Sequence, residues 1–232
     1  MLDSSGTHES IDTSPLGSPF HRRLGRISFD DALAIQERTI DKFHKSGTGL
    51  PLILSLEHEH VITCGRSTDT KNLLMSWEEY QKRGIDLRFI DRGGDVTYHG
   101  PGQVVVYPHV SLRSLGLRAG EYIRVLEECM IQTCADRGVK AFRRDRHPGC
   151  WTDAGKIGAV GASIKSGGIT KHGLSFNVST DLSFFDLIVP CGIINHRVVR
   201  LADLTDKQVD MGDVELRLVT NLVNILGLPE SR

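Results

Sequence analysis

Five short stretches of the chain combine residue types that can do chemistry. The richest is Arg92-Gly93-Gly94-Asp95-Val96-Thr97-Tyr98-His99-Gly100-Pro101-Gly102-Gln103. Glycines let a ligand approach the main chain and its N–H groups, while Arg92 and His99 add a cation and a titratable ring. A tight turn would explain the glycines, but not the polar residues between them. Without Gly-Lys-Ser/Thr or Gly-x-Gly-x-x-Gly, the stretch is neither a P-loop nor a dinucleotide fingerprint. The second stretch, Pro190-Cys191-Gly192, sets a thiol at a bend. That suits a nucleophile, although a small buried cysteine is the plainer reading. The third, Gly155-Lys156-Ile157-Gly158-Ala159-Val160-Gly161, opens a strand with a lysine among small neighbours. An ammonium beside a thiolate would stabilise it, yet a solvated lysine looks the same, and spacing alone does not bring Lys156 to Cys191. The fourth, His172-Gly173-Leu174-Ser175-Phe176-Asn177, reads first as an ordinary strand. The fifth, Glu57-His58-Glu59-His60 with Cys64, could place two rings on one strand face as zinc requires. No His-Glu-x-x-His or Cys-x-x-Cys supports it, so no metal site is expected.

The elements that must position these residues follow from periodicity. Asp30 caps a helix with Ala32, Ile35, Thr39 and Phe43 at helical spacing, stopped by Gly47 and Gly49. Leu52, Leu54 and Leu56 alternate as in a strand, as do Leu87 and Phe89, and 103–110 is β-rich. Ser76 and Glu79 form a capping box. Ile123, Leu126, Met130 and Cys134 mark the apolar stripe of a helix that Gly138 ends, which makes Cys129 and Cys134 packing residues. The segments 157–164 and 172–178 read as strands joined by a hairpin at Ser166-Gly167-Gly168. Residues 185–189 form a buried segment, and Val214, Leu218, Leu222 and Ile225 a final helix. Hairpins mixed with helices predict an α/β (α+β) fold with a mixed sheet rather than a regular parallel array.

Composition bounds the function class. The chain has 232 residues, a formal net charge of −1 and 39% hydrophobic residues, ordinary for a globular protein. Near-neutrality argues against a general nucleic-acid binder, and no apolar run approaches the ~18–20 residues of a membrane span. Five cysteines (Cys64, Cys129, Cys134, Cys150 and Cys191) give an odd count without Cys-x-x-Cys pairing, as in a reducing compartment. Residues 1–21 are expected to be a flexible extension and 22–232 one catalytic domain. No Lys or Arg precedes Arg22, whereas a transit peptide would be Arg-rich, so a bacterial cytoplasm is expected, or a mitochondrial matrix if the source is eukaryotic.

The ordered set of motifs resembles the octanoyltransferase family, the lipoyl(octanoyl) transferases. The resemblance rests on Glu57-His58 through Thr63, Gly65 and Arg66; on Arg92-Gly93-Gly94 through Gln103; and on Pro148-Gly149, Trp151 and Lys156-Ile157-Gly158. His172-Gly173-Leu174 with Asn177, Asp181-Leu182 and Pro190-Cys191-Gly192 complete it, so that it spans about residues 24–204. It implies a fold like that of biotin and lipoate ligases, related to the class II synthetase core. It also implies octanoyl transfer from octanoyl-acyl carrier protein to a lysine on a lipoyl domain of a 2-oxoacid dehydrogenase subunit or glycine cleavage H protein, with no ATP or other cofactor. Carried over by motif, Cys191 would be the nucleophile and Lys156 its partner. The acyl site would comprise Arg92, Gly93, Gly94, Asp95, Val96, Thr97, Tyr98, His99, Ala159, Val160, Gly161, Gly173, Leu174 and Ser175. Cys150 and Thr152 beside Trp151, Ala162-Ser163, Ser175-Phe176 and Val199-Arg200 depart from the family pattern. An ATP-dependent lipoate or biotin ligase, which needs no Pro-Cys-Gly cysteine, is the alternative, and a carrier- or lipoyl-domain-binding module without turnover is the non-enzymatic one. The run Arg143, Arg144, Arg146, with Arg113 and Arg118, is a candidate surface for an acidic carrier.

Overall fold

The computed structural model describes residues 20–46, 51–190 and 196–228. Its centre is the strand β6 (Gln103–His109), buried along its whole length. Val104 and Val106 point into one apolar cluster, and Val105 and Tyr107 into another on the opposite face. A strand buried on both faces reads as a continuous apolar run, which is why this segment is legible in sequence. Its sheet has the order β1-β2-β6-β9-β8-β7, with β1 His21–Ile27, β2 Leu52–His58, β7 Gly149–Thr152, β8 Gly155–Ile164 and β9 Thr170–Asn177. All pairs are antiparallel except β1 with β2.

Helices cover both faces. α3 (Ala119–Asp136) and α4 (Met211–Ile225) bury Tyr122, Leu126, Cys129, Met130, Val214, Leu218 and Leu222 against one. Each such aliphatic side chain contributes about 1.5–3 kcal/mol on burial. Asp210 caps α4 by accepting the Asp213 N–H at 2.8 Å, worth ~1 kcal/mol. α1 (Phe29–Ser46) covers the other face through Ala32, packed with Leu54, Leu56 and Val105. The stop at Gly47 and Gly49 lies outside the described residues.

A second sheet has β3 (Val61–Cys64) between parallel β4 (Asp86–Phe89) and antiparallel β5 (Val96–His99). It carries its own apolar cluster, with Ile62, Val96, Tyr98, Phe185 and Ile188. α2 (Trp77–Lys82) has the Ser76–Glu79 capping box. The 185–189 segment is buried at Phe185 and Ile188 as anticipated, but begins as a 3-10 turn over Leu182–Leu187. Among the described residues, no helix is long and apolar enough to cross a membrane.

Candidate active site

A cavity of about 450 Å³ lies between the large sheet and the 92–99 segment. Its floor is Ala159–Ala162 of β8, Gly173–Ser175 of β9 and Tyr107 of β6; its roof is Arg92–Asp95, Thr97 and His99. Lys156 stands at the start of β8, with Arg146, His147 and Pro148 also on the cavity wall. Six residues further along β8, Ala162 pairs with His172. At ~3.3 Å per strand residue those two ends are roughly 20 Å apart.

Most of the anticipated acyl-site residues line this space, namely Arg92, Gly93, Gly94, Asp95, Thr97, His99, Ala159, Val160, Gly161, Gly173, Leu174 and Ser175, and so does Lys156, the anticipated partner of the nucleophile. Val96 and Tyr98 do not. Side chains alternate along β5, so these two face the second apolar cluster and back the wall instead of lining it. Tyr98 stacks on Phe184 with ring centroids 4.9 Å apart, and its hydroxyl bonds His60 Nδ1 at 2.8 Å. Cys191 lies outside the described residues.

The roof is pinned by a directional hydrogen-bond chain. Arg92 donates to Thr63 Oγ1 and to the Gly93 carbonyl, and the Thr63 hydroxyl approaches His99 Nε2 at 3.4 Å. His99 Nδ1–H donates to Gln103 Oε1 at 2.7 Å, Gln103 Nε2 to Asn177 Oδ1 at 2.9 Å, and Asn177 Nδ2 to the Val199 carbonyl at 3.1 Å. The amide orientations therefore fix the neutral tautomer of His99. Burial agrees, holding its pKa down to about 3.

The end of the cavity by His172 is a charge cluster that the sequence did not reveal. His172 Nε2–H donates to Asp91 Oδ1 at 3.0 Å, Lys171 approaches the same oxygen at 3.4 Å, and Lys165 bonds Oδ2. The His172 hydrogen bond, together with the Lys165 and Lys171 ammonium groups, holds the Asp91 carboxyl well below the usual carboxylate range, while burial pushes the His172 pKa down. The backbone of His172 sits at φ 60°, a conformation uncommon for a non-glycine residue, and its N–H is taken by Gln36 Oε1 at 2.9 Å.

At the opposite end, the Lys156 N–H donates to the Arg197 carbonyl at 2.8 Å and its carbonyl accepts from Val199 N–H at 2.9 Å. A hollow of about 20 Å³ adjoins the cavity there, lined by Lys156, Ala159 and Ser175 together with Phe185, Pro190 and Val198. The basic run divides: Arg143 is tied to Glu127 and Glu128, Arg144 lies over the Trp151 ring at 4.4 Å, and Arg146 lines the cavity. Ile123, expected in the helical stripe, also lines it.

The remaining candidates separate. His58 donates from Nδ1 to the Ile27 carbonyl and accepts from the Tyr107 hydroxyl at 2.8 Å, while Cys64 is buried in the second cluster. Among the described residues no three potential ligands gather around a common metal position. Cys129, Cys134 and Cys150 belong to the main core, where burial raises the Cys129 thiol pKa and the Cys134 contact, with burial, raises that of Cys150. Tyr107, Phe29 and Ile90 join the cavity from distant parts of the chain and carried no local signal.

Residues 28–223 match the lipoyl protein ligase A/B catalytic domain family. An octanoyltransferase from Acidobacterium capsulatum is 46% identical over 191 residues, covering 77% of each chain. One from Bacteroides fragilis is 43% identical, covering 75% of this chain and 80% of its own. Among solved structures, a bipartite lipoate protein ligase from Thermoplasma acidophilum superposes with a TM-score of 0.69 at 15% identity, over 91% of this chain and 84% of its own. The biotin protein ligase of Aquifex aeolicus gives 0.52 at 12% identity, over 90% and 71%. Those two establish the shared mixed α/β fold. On the family match and the close sequence relatives together, the chain belongs to the octanoyltransferase family and is an acyltransferase.

Proposed function

We propose that the protein moves an octanoyl group from octanoyl-acyl carrier protein to a lysine of a lipoyl domain through a thioester on Cys191. The carrying observation is the surroundings of Lys156. Pro190, which precedes Cys191, shares a hollow with Lys156, and Arg197 and Val199 hydrogen-bond its main chain. The chain thus approaches Lys156 from both sides of 191–195. In this reading the Cys191 thiolate attacks the donor carbonyl, the bond to the pantetheine sulfur breaks, and that sulfur leaves as a thiol. The deprotonated acceptor amine then attacks the Cys191 thioester, forming an amide and releasing the Cys191 thiol. The Lys156 ammonium stabilises the thiolate and exchanges protons with the leaving thiol and entering amine. Main-chain N–H groups of the glycine-rich roof are the donors available to each oxyanion. Because the donor is already activated, ATP has no role.

Residues 22–232 act as one catalytic domain in this proposal, in a reducing cytoplasm that keeps Cys191 free. Acceptors are lipoyl domains of 2-oxoacid dehydrogenase subunits and glycine cleavage H protein. Support for this acceptor class comes from the lipoyl ligase family match and from a structural neighbour described together with its E2 lipoyl domain. The test is intact-mass analysis after incubation with octanoyl-acyl carrier protein and no nucleotide. One octanoyl increment should appear on the wild-type protein and on Cys64→Ala, Cys129→Ala, Cys134→Ala and Cys150→Ala, but not on Cys191→Ala. Octanoate transfer that requires ATP and survives Cys191→Ala would instead identify a ligase.

A further inference from the structure

The Lys156 side chain does not end against a carbon wall of ordinary packing. Its Nζ lies 5.4 Å from the centroid of the Trp151 ring, within cation–π range. Trp151 is fully buried and fixed on several sides. Its Nε1–H donates to the His147 carbonyl at 2.9 Å, and its main chain exchanges two hydrogen bonds with Phe142. The two residues face one another across the β7–β8 hairpin, where the register slips between Cys150 and Trp151. That slip makes Trp151, rather than the next residue, the partner of Lys156.

The route to the ring is also built. A Cβ on Gly149 would fall 2.8 Å from Lys156 Cε, so the lysine stem passes over a bare main chain. The Gly149 N–H is anchored by Glu127 Oε1 at 3.0 Å, and Arg124 and Arg143 hold that buried carboxylate in turn. We propose that Trp151 is a positioning residue for the Lys156 ammonium: the indole face holds the cation, and Gly149 leaves the lane by which the stem reaches it. This rests on the reading of Lys156 as the partner of Cys191.

The physical logic concerns charge type. A carboxylate beside Lys156 would hold the ammonium equally well, but would repel a thiolate. An aromatic face attracts the ammonium through its quadrupole and adds no formal negative charge. Among the described residues, the charged and titratable groups around this ring include Lys156 itself, Arg144 at 4.4 Å and the ring of His196 at 5.2 Å. His147 lies 6.3 Å away, and Glu127 is on the far side of Gly149.

The experiment measures single-turnover acylation of the full-length protein by octanoyl-acyl carrier protein between about pH 6 and pH 10, spanning an ordinary thiol titration. Site-specific tetrafluorotryptophan at position 151 keeps the shape of the ring and removes the electron density from its face. It should slow acylation at neutral pH by roughly tenfold, move the midpoint upward by about one unit, and leave the high-pH rate unchanged. Trp151→Phe should fall between wild type and Trp151→Leu. In a Lys156→Ala background the fluorinated ring should have no further effect. A fluorinated protein with the wild-type rate and midpoint overturns the positioning role, as does an equal loss with and without Lys156. Neither outcome resembles failure of the underlying reading, in which Cys191→Ala still forms the adduct or Lys156→Ala acylates at the wild-type rate.

Discussion

At one end of the cavity a lysine ammonium lies over an indole; at the other, two lysines and a histidine converge on the carboxylate of Asp91. Both ends gather cations against the same pair of strands, β8 and β9. The carboxylate cluster neutralises its charges and locks the left-handed His172 into place. The aromatic face orients its charge and leaves the field around it positive. The first arrangement serves the fold, whereas the second suits the proposed stabilisation of an anion that exists only during turnover. A count of basic residues does not favour the Asp91 end, since Arg144, His147 and His196 also surround the Trp151 ring, and it is the nature of the counter-group that distinguishes the two.

The widest separation between the two ends should come from Lys156→Ala. We expect acylation at pH 7 to fall about 10²–10⁴-fold, the usual contribution of a positioned acid–base group. Partial recovery should follow as the thiol titrates near its ordinary value of about 8.5. Stopped reactions analysed by mass across that range check it; a loss that pH does not relieve would break the contrast.

Asp91→Asn should act on stability before activity. The Lys171 and His172 side chains are 6% and 2% exposed; His172 would lose its carboxylate partner, and Lys171 would keep only Glu37, at 3.3 Å. With allowance for solvent screening of the partly exposed Asp91, the expected cost is about 1–3 kcal/mol, visible in Tm. The folded pKa of Asp91 is depressed, so its contribution is present above the unfolded value of about 3.9 and is lost as pH falls below it. The Tm gap between wild type and variant should therefore be full at pH 6 and narrow below pH ~4. A gap that widens in acid would contradict the assignment.

Ser175→Leu tests the floor between the two ends. Filling this position should disfavour decanoyl relative to octanoyl donors by about tenfold, within the 1–3 kcal/mol typical of apolar discrimination. Competition between the two donors gives the ratio directly, and an unmoved ratio would remove Ser175 from the acyl path.

The smallest effect is expected on the rim. Arg146→Glu should lower kcat/KM for the acidic carrier roughly two- to fivefold at low salt, with the difference closing at high salt. Because Arg146 also lines the cavity, a small octanoyl thioester should lose a smaller factor, and that loss should not depend on salt. Arg143→Glu belongs to a different class, because it removes a partner of the buried Glu127, and should lower Tm whichever donor is used.

Much of this architecture is legible in the sequence wherever a pattern is local. β6, β8, β9 and α1 follow from periodicity and the Ser76–Glu79 box from its cap, whereas α1 starts at Phe29 with Asp30 inside its first turn, and Ser28, not Asp30, takes the free Asp31 N–H at 3.1 Å. β1 escapes because His21-Arg22-Arg23-Leu24-Gly25-Arg26-Ile27 is polar, a strand made by pairing with β2 rather than by propensity. β5 is hidden inside a glycine-rich stretch, and so was the alternation that turns Val96 and Tyr98 away from the cavity. The roof residues carry their own signal in Arg92-Gly93-Gly94. The Asp91–His172 contact joins residues 81 apart, and His172 with Gln36 joins residues 136 apart. No window of sequence contains either. Trp151 and Lys156 are only five positions apart, yet their meeting depends on a hairpin register that composition cannot give.

The roof and floor of the cavity touch where the Gly93 N–H bonds the Ala162 carbonyl at 3.0 Å and Arg92 Cδ crosses bare Gly161, where a Cβ would come within 2.9 Å. The gap between the sheets is thus gauged by main chain, while Ile123, Leu174 and Ser175 shape the space with side chains. For anyone redesigning this pocket, the two dimensions are separate controls. Substitution at the side-chain positions retunes how long a guest is accommodated. How thick that guest is stays fixed by the backbone, so a branched or ring-bearing acyl group calls for a rebuilt 92–95 turn and not for point mutation of the floor.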